Sequence, residues 1–361
     1  MNEVSLLRQI RSDAPEPERE AVDQARAALF ERIHADAIPG ARSVPAKRHR
    51  RARWAGLGVL GAGALTVALV ATNLLGVGDW RGGADPAAAN ALNQAALASI
   101  DTSDPALLPG QYLLVESNSV YGNTTQVDDG EYVSYLTLNR DKLYVPADQS
   151  DEWIWERGAR VPYQSFNAEG EALAQREYAA AGQTGETLRA PNAEFYGNSV
   201  IPDFEALPKD PQQLLDYIYK TTEGQGISAD WMALLWITEA LRTGVTPADV
   251  RANLYLAVAG IPGVEITEQT ANLDGQTGIA IGRYESKDDS RQDIIIDPDT
   301  GTLIGERRID YSGDWGYPAN TVRSFTAIKT SVVDSAPGGG TQNGHLDGEG
   351  CTDLGSGAFQ C

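Results

Sequence analysis

The chain has 361 residues, with 29 Lys+Arg against 50 Asp+Glu, a formal net charge of −21 and 42% hydrophobic residues. So negative a surplus repels polyanions and argues against nucleic acid or anionic head groups as ligands. The charge is also unevenly spread. Residues 1–77 carry 11 Lys+Arg against 8 Asp+Glu, or +3, and the remainder carries 18 against 42, or −24.

Residues 1–53 are too few to bury an independent core, since chains of about 40 to 60 residues are marginal without staples. Their pattern predicts two short helices on a tether. The first, 3–11, places Val4, Leu7 and Ile10 near one face and ends at the Ser-Asp-Ala-Pro-Glu-Pro run of 12–17, where proline removes backbone donors. The second, about 17–34, carries a stripe of Val22, Ala25, Leu29, Phe30 and Ile33 opposite Glu20, Asp23, Arg26 and Glu31. A stripe that cannot be buried within so short a segment must meet another surface. Helix-in-groove docking of a cytoplasmic regulatory protein through Val22, Leu29, Phe30 and Ile33 is one reading. A helix resting on lipid, or a loosely ordered tail, is the other.

From Trp54 to Val77 there are twenty-four residues without a charge. At about 1.5 Å rise per residue a helix of this length reaches about 36 Å, enough to cross a hydrocarbon core of about 30 Å. A cleaved signal peptide has an apolar region of only about 7 to 15 residues, so the pattern predicts a membrane span. Lys47, Arg48, Arg50, Arg51 and Arg53 precede it and only Arg81 follows closely, which puts the N-terminus inside and the acidic part of the chain outside. Trp54 and Trp80 bracket it at the expected interfaces. The expected division is therefore a cytoplasmic segment 1–53, a transmembrane helix 54–77, an extracytoplasmic domain 78–335 and a flexible glycine-rich tail 336–361.

The outer domain opens with an alanine-rich helix near 85–100. Alternating strands follow at 111–116, 131–138, 142–145 and 152–156, with turns at 121–123, 128–130 and 140–141. The period then changes, and 210–222, 229–242 and 247–259 read as helices, with Ser228 and Thr246 as N-caps. Strands return at 264–272, 278–285, 293–296, 302–310 and 322–332, and Asp297-Pro298-Asp299-Thr300-Gly301 between two of them is a hairpin signal. Strands, a helical insert and strands again predict an α+β ectodomain, a curved antiparallel sheet with helices packed on one face.

Chemical signals are sparse. The histidines, His34, His49 and His345, all fall outside the predicted outer core, which argues against Ser-His-Asp or Cys-His catalysis, and no P-loop or GxSxG occurs. Adjacent acids such as Asp128-Asp129, Asp151-Glu152 and Asp288-Asp289 sit in or beside predicted turns, where solvated loops account for them. No catalytic residue, metal or cofactor is assigned. The two cysteines, Cys351 and Cys361, lie in the tail, and an isolated pair outside the membrane is read as a disulfide. Trp153 and Trp155, two apart on one strand, and Tyr132 form a candidate ligand-lining aromatic set, with packing in the core as the alternative.

The opening SLLRQIRSDAPEPE, the arginine-flanked span, PGQYLLVES, IPGVEITEQ and DIIIDPDTGTLIGERRI together resemble an actinobacterial family of single-pass membrane proteins of unassigned activity. The likeness extends over nearly the whole length. The layout is also similar to membrane anti-sigma regulators, although the zinc-binding His and Cys pattern of many of those is absent. What this implies is a non-enzymatic envelope protein with a sensor or interaction ectodomain and an inner segment able to dock a regulator such as a sigma factor. An anchored extracytoplasmic carrier of lipid or another hydrophobic ligand is the alternative, and oligomeric state is left open.

Overall fold

A computed structural model describes residues 83–127, 130–181, 184–197 and 201–343, with the backbone of 352–353 and 359–360. These belong to the second of two units into which the chain divides, residues 71–361. The expected span from Trp54 to Val77, its basic flank, the docking stripe of Val22, Leu29, Phe30 and Ile33, and the pair Cys351 and Cys361 lie outside the described residues. No helix among the described residues is long and apolar enough to cross a membrane.

The described chain is an α+β fold, a large curved mixed sheet with five α-helices. In chain order the elements are α1 (Pro86–Thr102), β1 (Tyr112–Gln126), β2 (Tyr132–Pro146), β3 (Glu152–Arg157), β4 (Val161–Ser165), α2 (Ala168–Ala180), β5 (Glu186–Pro191), α3 (Pro211–Thr221), α4 (Ala229–Arg242), α5 (Ala248–Ala259), β6 (Val264–Leu273), β7 (Gln276–Glu285), β8 (Ser290–Ile296), β9 (Leu303–Asp310), β10 (Thr321–Val333) and β11 (Thr341–Gln342). Two short strands, β12 (Thr352–Asp353) and β13 (Phe359–Gln360), pair with each other.

The main sheet runs β11-β5-β3-β2-β1-β10-β9-β8-β7-β6, and β4 pairs with the part of β2 that β3 leaves uncovered. Every pairing is antiparallel except β11 on β5, so the sheet is mixed rather than wholly antiparallel. That parallel strand comes from the head of the segment expected as a tail. Arg189 on β5 donates to the carbonyls of Pro337 and Gly339, Gln342 donates to Glu152 at 2.6 Å, and the Asn343 amide donates to the Arg189 carbonyl at 2.8 Å.

Local chemistry explains the helices. Asp85 accepts from the Ala88 amide at 2.6 Å with Pro86 in the first turn of α1, and Asp210 and Ser228 cap α3 and α4 in the same way. Thr246 does not cap α5. Its hydroxyl turns back to the Ala240 carbonyl at 2.7 Å, and Pro247 takes the cap position without a side-chain bond. The helices α1, α3, α4 and α5 form one layer whose Leu92, Leu214, Ile218, Leu234, Ile237, Leu254 and Tyr255 are buried against Val115, Val145, Ile281, Ile294 and Ile328 of the sheet. The smaller α2 covers Val133 and Tyr135 at the far end of β2 with Leu173 and Ala174.

Two expected turns are absent. Residues 121–123 and 140–141 lie inside the fifteen-residue strands β1 and β2, which pair one-to-one from Tyr112↔Pro146 to Gln126↔Tyr132. Gly122 serves close approach rather than a turn, because a Cβ there would meet the Tyr317 hydroxyl at 2.5 Å. The hairpin at 297–301 does form, with Asp297 accepting from the Asp299 amide and the Thr300 hydroxyl at 2.9 Å each. It is also a tertiary joint. Gly301, at φ +65°, presents its carbonyl to the Ser99 hydroxyl of α1 at 2.9 Å, and a side chain there would collide with the Ala95 carbonyl. Left-handed backbone alone costs about 1–2 kcal/mol for a residue with a Cβ, so Gly301→Ala is expected to lower the melting temperature by at least about 4 °C, measurable by circular dichroism.

A polar cleft as candidate functional site

Alternation along β1 and β2 builds the site. Leu113 and Val115, paired with Val145 and Leu143, point into the core beneath the helical layer. Side chains of the same parity further along point to the same face. These are Ser117 opposite Asp141, Ser119 opposite Asn139, and Tyr121 opposite Thr137. The face therefore changes from apolar to polar where the helical layer stops, and becomes apolar again under α2. The uncovered stretch floors a cleft of about 700 Å³, a size suited to small-molecule ligands.

The walls come from elsewhere. Trp155, Arg157 and Arg160 rise from the β3 side, while Trp236, Glu239, Arg242 and Thr243 descend from the C-terminal end of α4. Ile201 and Pro202 close another side. Trp155 meets Phe195 edge-to-face at 5.4 Å between centroids, and the Arg157 guanidinium lies 4.8 Å over the Trp155 ring. Arg157 also bonds Glu186 at 2.7 Å.

Burial perturbs the acids. Desolvation pushes the Asp141 carboxyl up, against the Gly158 amide at 2.9 Å and the nearby Arg157, which favour its charged form. Glu306, behind the cleft, is almost wholly buried, and that burial raises its carboxyl against the opposing attraction of Arg242. Glu306 accepts from Gln292 at 2.9 Å and lies 3.4 Å from Arg242 Nε. Burial by itself would depress the Arg242 guanidinium, but Glu239 and Glu306 reverse the sign and hold it charged. Arg242 also donates to the Tyr121 hydroxyl at 3.2 Å. Two atoms of this region, Asn139 Oδ1 and Arg242 Nε, are buried without a hydrogen-bond partner among the described residues.

The structure separates the three expected ligand-lining aromatics. Trp155 lines the cleft. Trp153 shares its strand face but is fully buried in the core, its indole donating to the Gln149 carbonyl at 2.9 Å. Tyr132 has the opposite parity on β2 and lies on the other face, half-exposed against Trp315 at 4.7 Å. A one-residue change of parity moves a side chain across the sheet, and continuous pairing of β1 with β2 sets that parity. Ser117, Ser119, Asn139, Asp141, Trp236 and Arg242 were not singled out from sequence. Their signal was the run Leu113, Val115, Ser117, Ser119, legible only once β1 is taken as unbroken.

Of the adjacent acids that are described, Glu152 pairs with Arg189 and Asp288 with Arg308. Among the described residues no three His, Cys, Asp or Glu side chains are grouped to hold a metal. A second, smaller cavity of about 350 Å³ lies beside the end of α1, where Arg251 already bonds Asp104 and the Thr246 carbonyl.

The arrangement is that of an α+β domain with a polar cleft on one sheet face. No protein-family profile and no curated protein matches the chain. Among solved structures it is similar to a DUF1329 family protein from Desulfovibrio piger, at 12% identity over 68% of this chain and 92% of that one, with a TM-score of 0.16. So low a score carries no argument about this chain.

Because burial raises the Glu306 carboxyl above its usual value near about 4.3, the protonated form supports the fold and ionisation removes that support as the pH rises. Glu306→Gln stays neutral. Its melting temperature is expected to change more favourably from pH 4 to pH 7 than that of the native chain, and identical profiles in thermal melts would contradict the burial argument.

Proposed function

We propose that the chain is a non-enzymatic, single-pass envelope protein. Its acidic outer domain senses a small polar ligand in the cleft on the β1/β2 face, its span is 54–77, and its inner segment docks a regulator such as a sigma factor. The observation that carries the sensor reading is the polar floor of Ser117, Ser119, Asn139 and Asp141 in a cleft of about 700 Å³. Hydroxyl and amide groups on such a floor need hydrogen-bond partners, which water supplies in the free protein and a polar ligand would supply on binding. The same observation weighs against the lipid-carrier alternative, because an acyl chain would desolvate the Ser117 and Ser119 hydroxyls without pairing them.

Inward signalling rests on sequence pattern, the charge difference across the span and the stripe on 17–34. Pull-down from the native host with the full-length protein as bait is expected to recover a sigma factor. Leu29→Asp with Ile33→Asp, which places two charges on the apolar stripe, should cut that recovery at least about tenfold while leaving the outer domain's melting temperature unchanged. Recovery of no sigma factor by the native bait, or equal recovery by the double variant, rejects the docking role.

A further inference from the structure

We infer that the cleft takes a neutral sugar ring, an inference that rests on the ligand-binding reading of that cleft and narrows its ligand class. The first argument is the state of the cations. Three arginines reach the cleft, but the Arg157 guanidinium lies on the Trp155 and Tyr196 rings and bonds Glu186, and Arg242 is held by Glu239, Glu306 and Tyr121. Arg160 is exposed at the rim. An anionic ligand needs convergent, uncommitted donors, and here two of the three are already spent on carboxylates.

The second argument is what is left over. The Ser117 and Ser119 hydroxyls make no side-chain hydrogen bond among the described residues, and Asn139 Oδ1 is a buried acceptor with none. With Asp141 these groups form a grid. Its spacing is about 7 Å along a strand, from two residues at about 3.4 Å each, and about 5 Å between paired side chains. Hydroxyls spread around a six-membered ring present donors and acceptors at separations of this order. An extended peptide is a poorer fit, since the backbone of β1 is paired to β10 and β2 on its two sides and offers no free edge for strand addition.

The third argument is the pair of indoles. Trp236 and Trp155, the latter with the Arg157 guanidinium over its ring, flank the polar grid from α4 and β3, so a ligand in the cleft meets aromatic surface at its sides and hydrogen-bonding groups beneath. A sugar has both characters, with apolar C–H faces and a polar rim. A ligand without hydroxyls leaves the Ser117 and Ser119 hydroxyls unpaired, which is how a hydrogen-bonding site rejects such analogues.

The test uses the full-length protein in lipid nanodiscs, because glucoside and maltoside detergents would themselves be candidate ligands. Chitobiose, cellobiose and maltose, then citrate, inorganic phosphate, trialanine and oleate, are titrated by calorimetry. At least one of the three disaccharides is expected to bind, with Ser119→Ala and Asn139→Ala each weakening it at least tenfold in Kd at unchanged melting temperature. Disaccharide binding indifferent to both substitutions overturns the assignment to this cleft. Binding of citrate, phosphate, trialanine or oleate alone, sensitive to Asn139→Ala, overturns the sugar class and keeps the cleft as a binding site. If none of the seven binds, the sugar inference fails together with the sensor reading on which it rests.

Discussion

The unbroken pairing of β1 with β2 is the constraint on which the domain depends. Fifteen residues of each strand face one another without a bulge, so the parity established at Leu113 and Val115 under the helices persists through Ser117, Ser119 and Tyr121. A bulge anywhere between would have turned the polar residues to the opposite face and left apolar ones exposed. The pairing also places β1 between β2 and β10, which joins the β6–β9 strands to the β3 and β5 strands in one sheet. Both the core and the cleft are therefore consequences of a single register.

Helical cover then decides which part of that face is core. The layer of α1, α3, α4 and α5 ends near Ala240 to Thr243, and α2 begins its own patch at Tyr135 and Val133. Between the two covers the sheet face has no helix to pack against, and side chains there are polar because water or ligand must satisfy them. The turn at 297–301 fixes the layer from the opposite side through the Ser99 bond, tying a hairpin to a helix 202 residues away in sequence.

Charges within the fold follow the same economy. Asp293, fully buried, is held by Arg291 and Arg307 at 2.9 Å, and Glu285 by Arg283 at 2.9 Å with the Ser228 hydroxyl beside it. A buried carboxylate survives only when paired in this way. Glu306 differs, since Arg242 divides its charge between Glu306 and Glu239, and burial prevails at the former. The incomplete pairing lies directly behind the cleft.

Much of the domain was legible locally. The helices at 229–242 and 210–222, the cap at Ser228, the hairpin at 297–301 and the strands β6 to β10 are short-range matters of periodicity and turn chemistry, and they stand within one to three residues of their expected places, whereas the cap expected at Thr246 does not form. Gly122 and Asp141 misled because glycine and aspartate also mark turns. Their roles here, contact with Tyr317 and acceptance from Gly158, involve residues 195 and 17 positions away. The helix α2 and the strands β4 and β5 carry weaker patterns and are stabilised by what they pack against. By itself the sequence determined most of the element types, which depend on neighbours within a few residues, and the charge division that makes residues 78–361 acidic. Only the tertiary structure decided which polar residues share a cleft, that Trp155 lines it while Trp153 does not, and that Tyr132 lies on the other face. Those outcomes depend on strand register and helical cover, and both are set by contacts far apart in the chain.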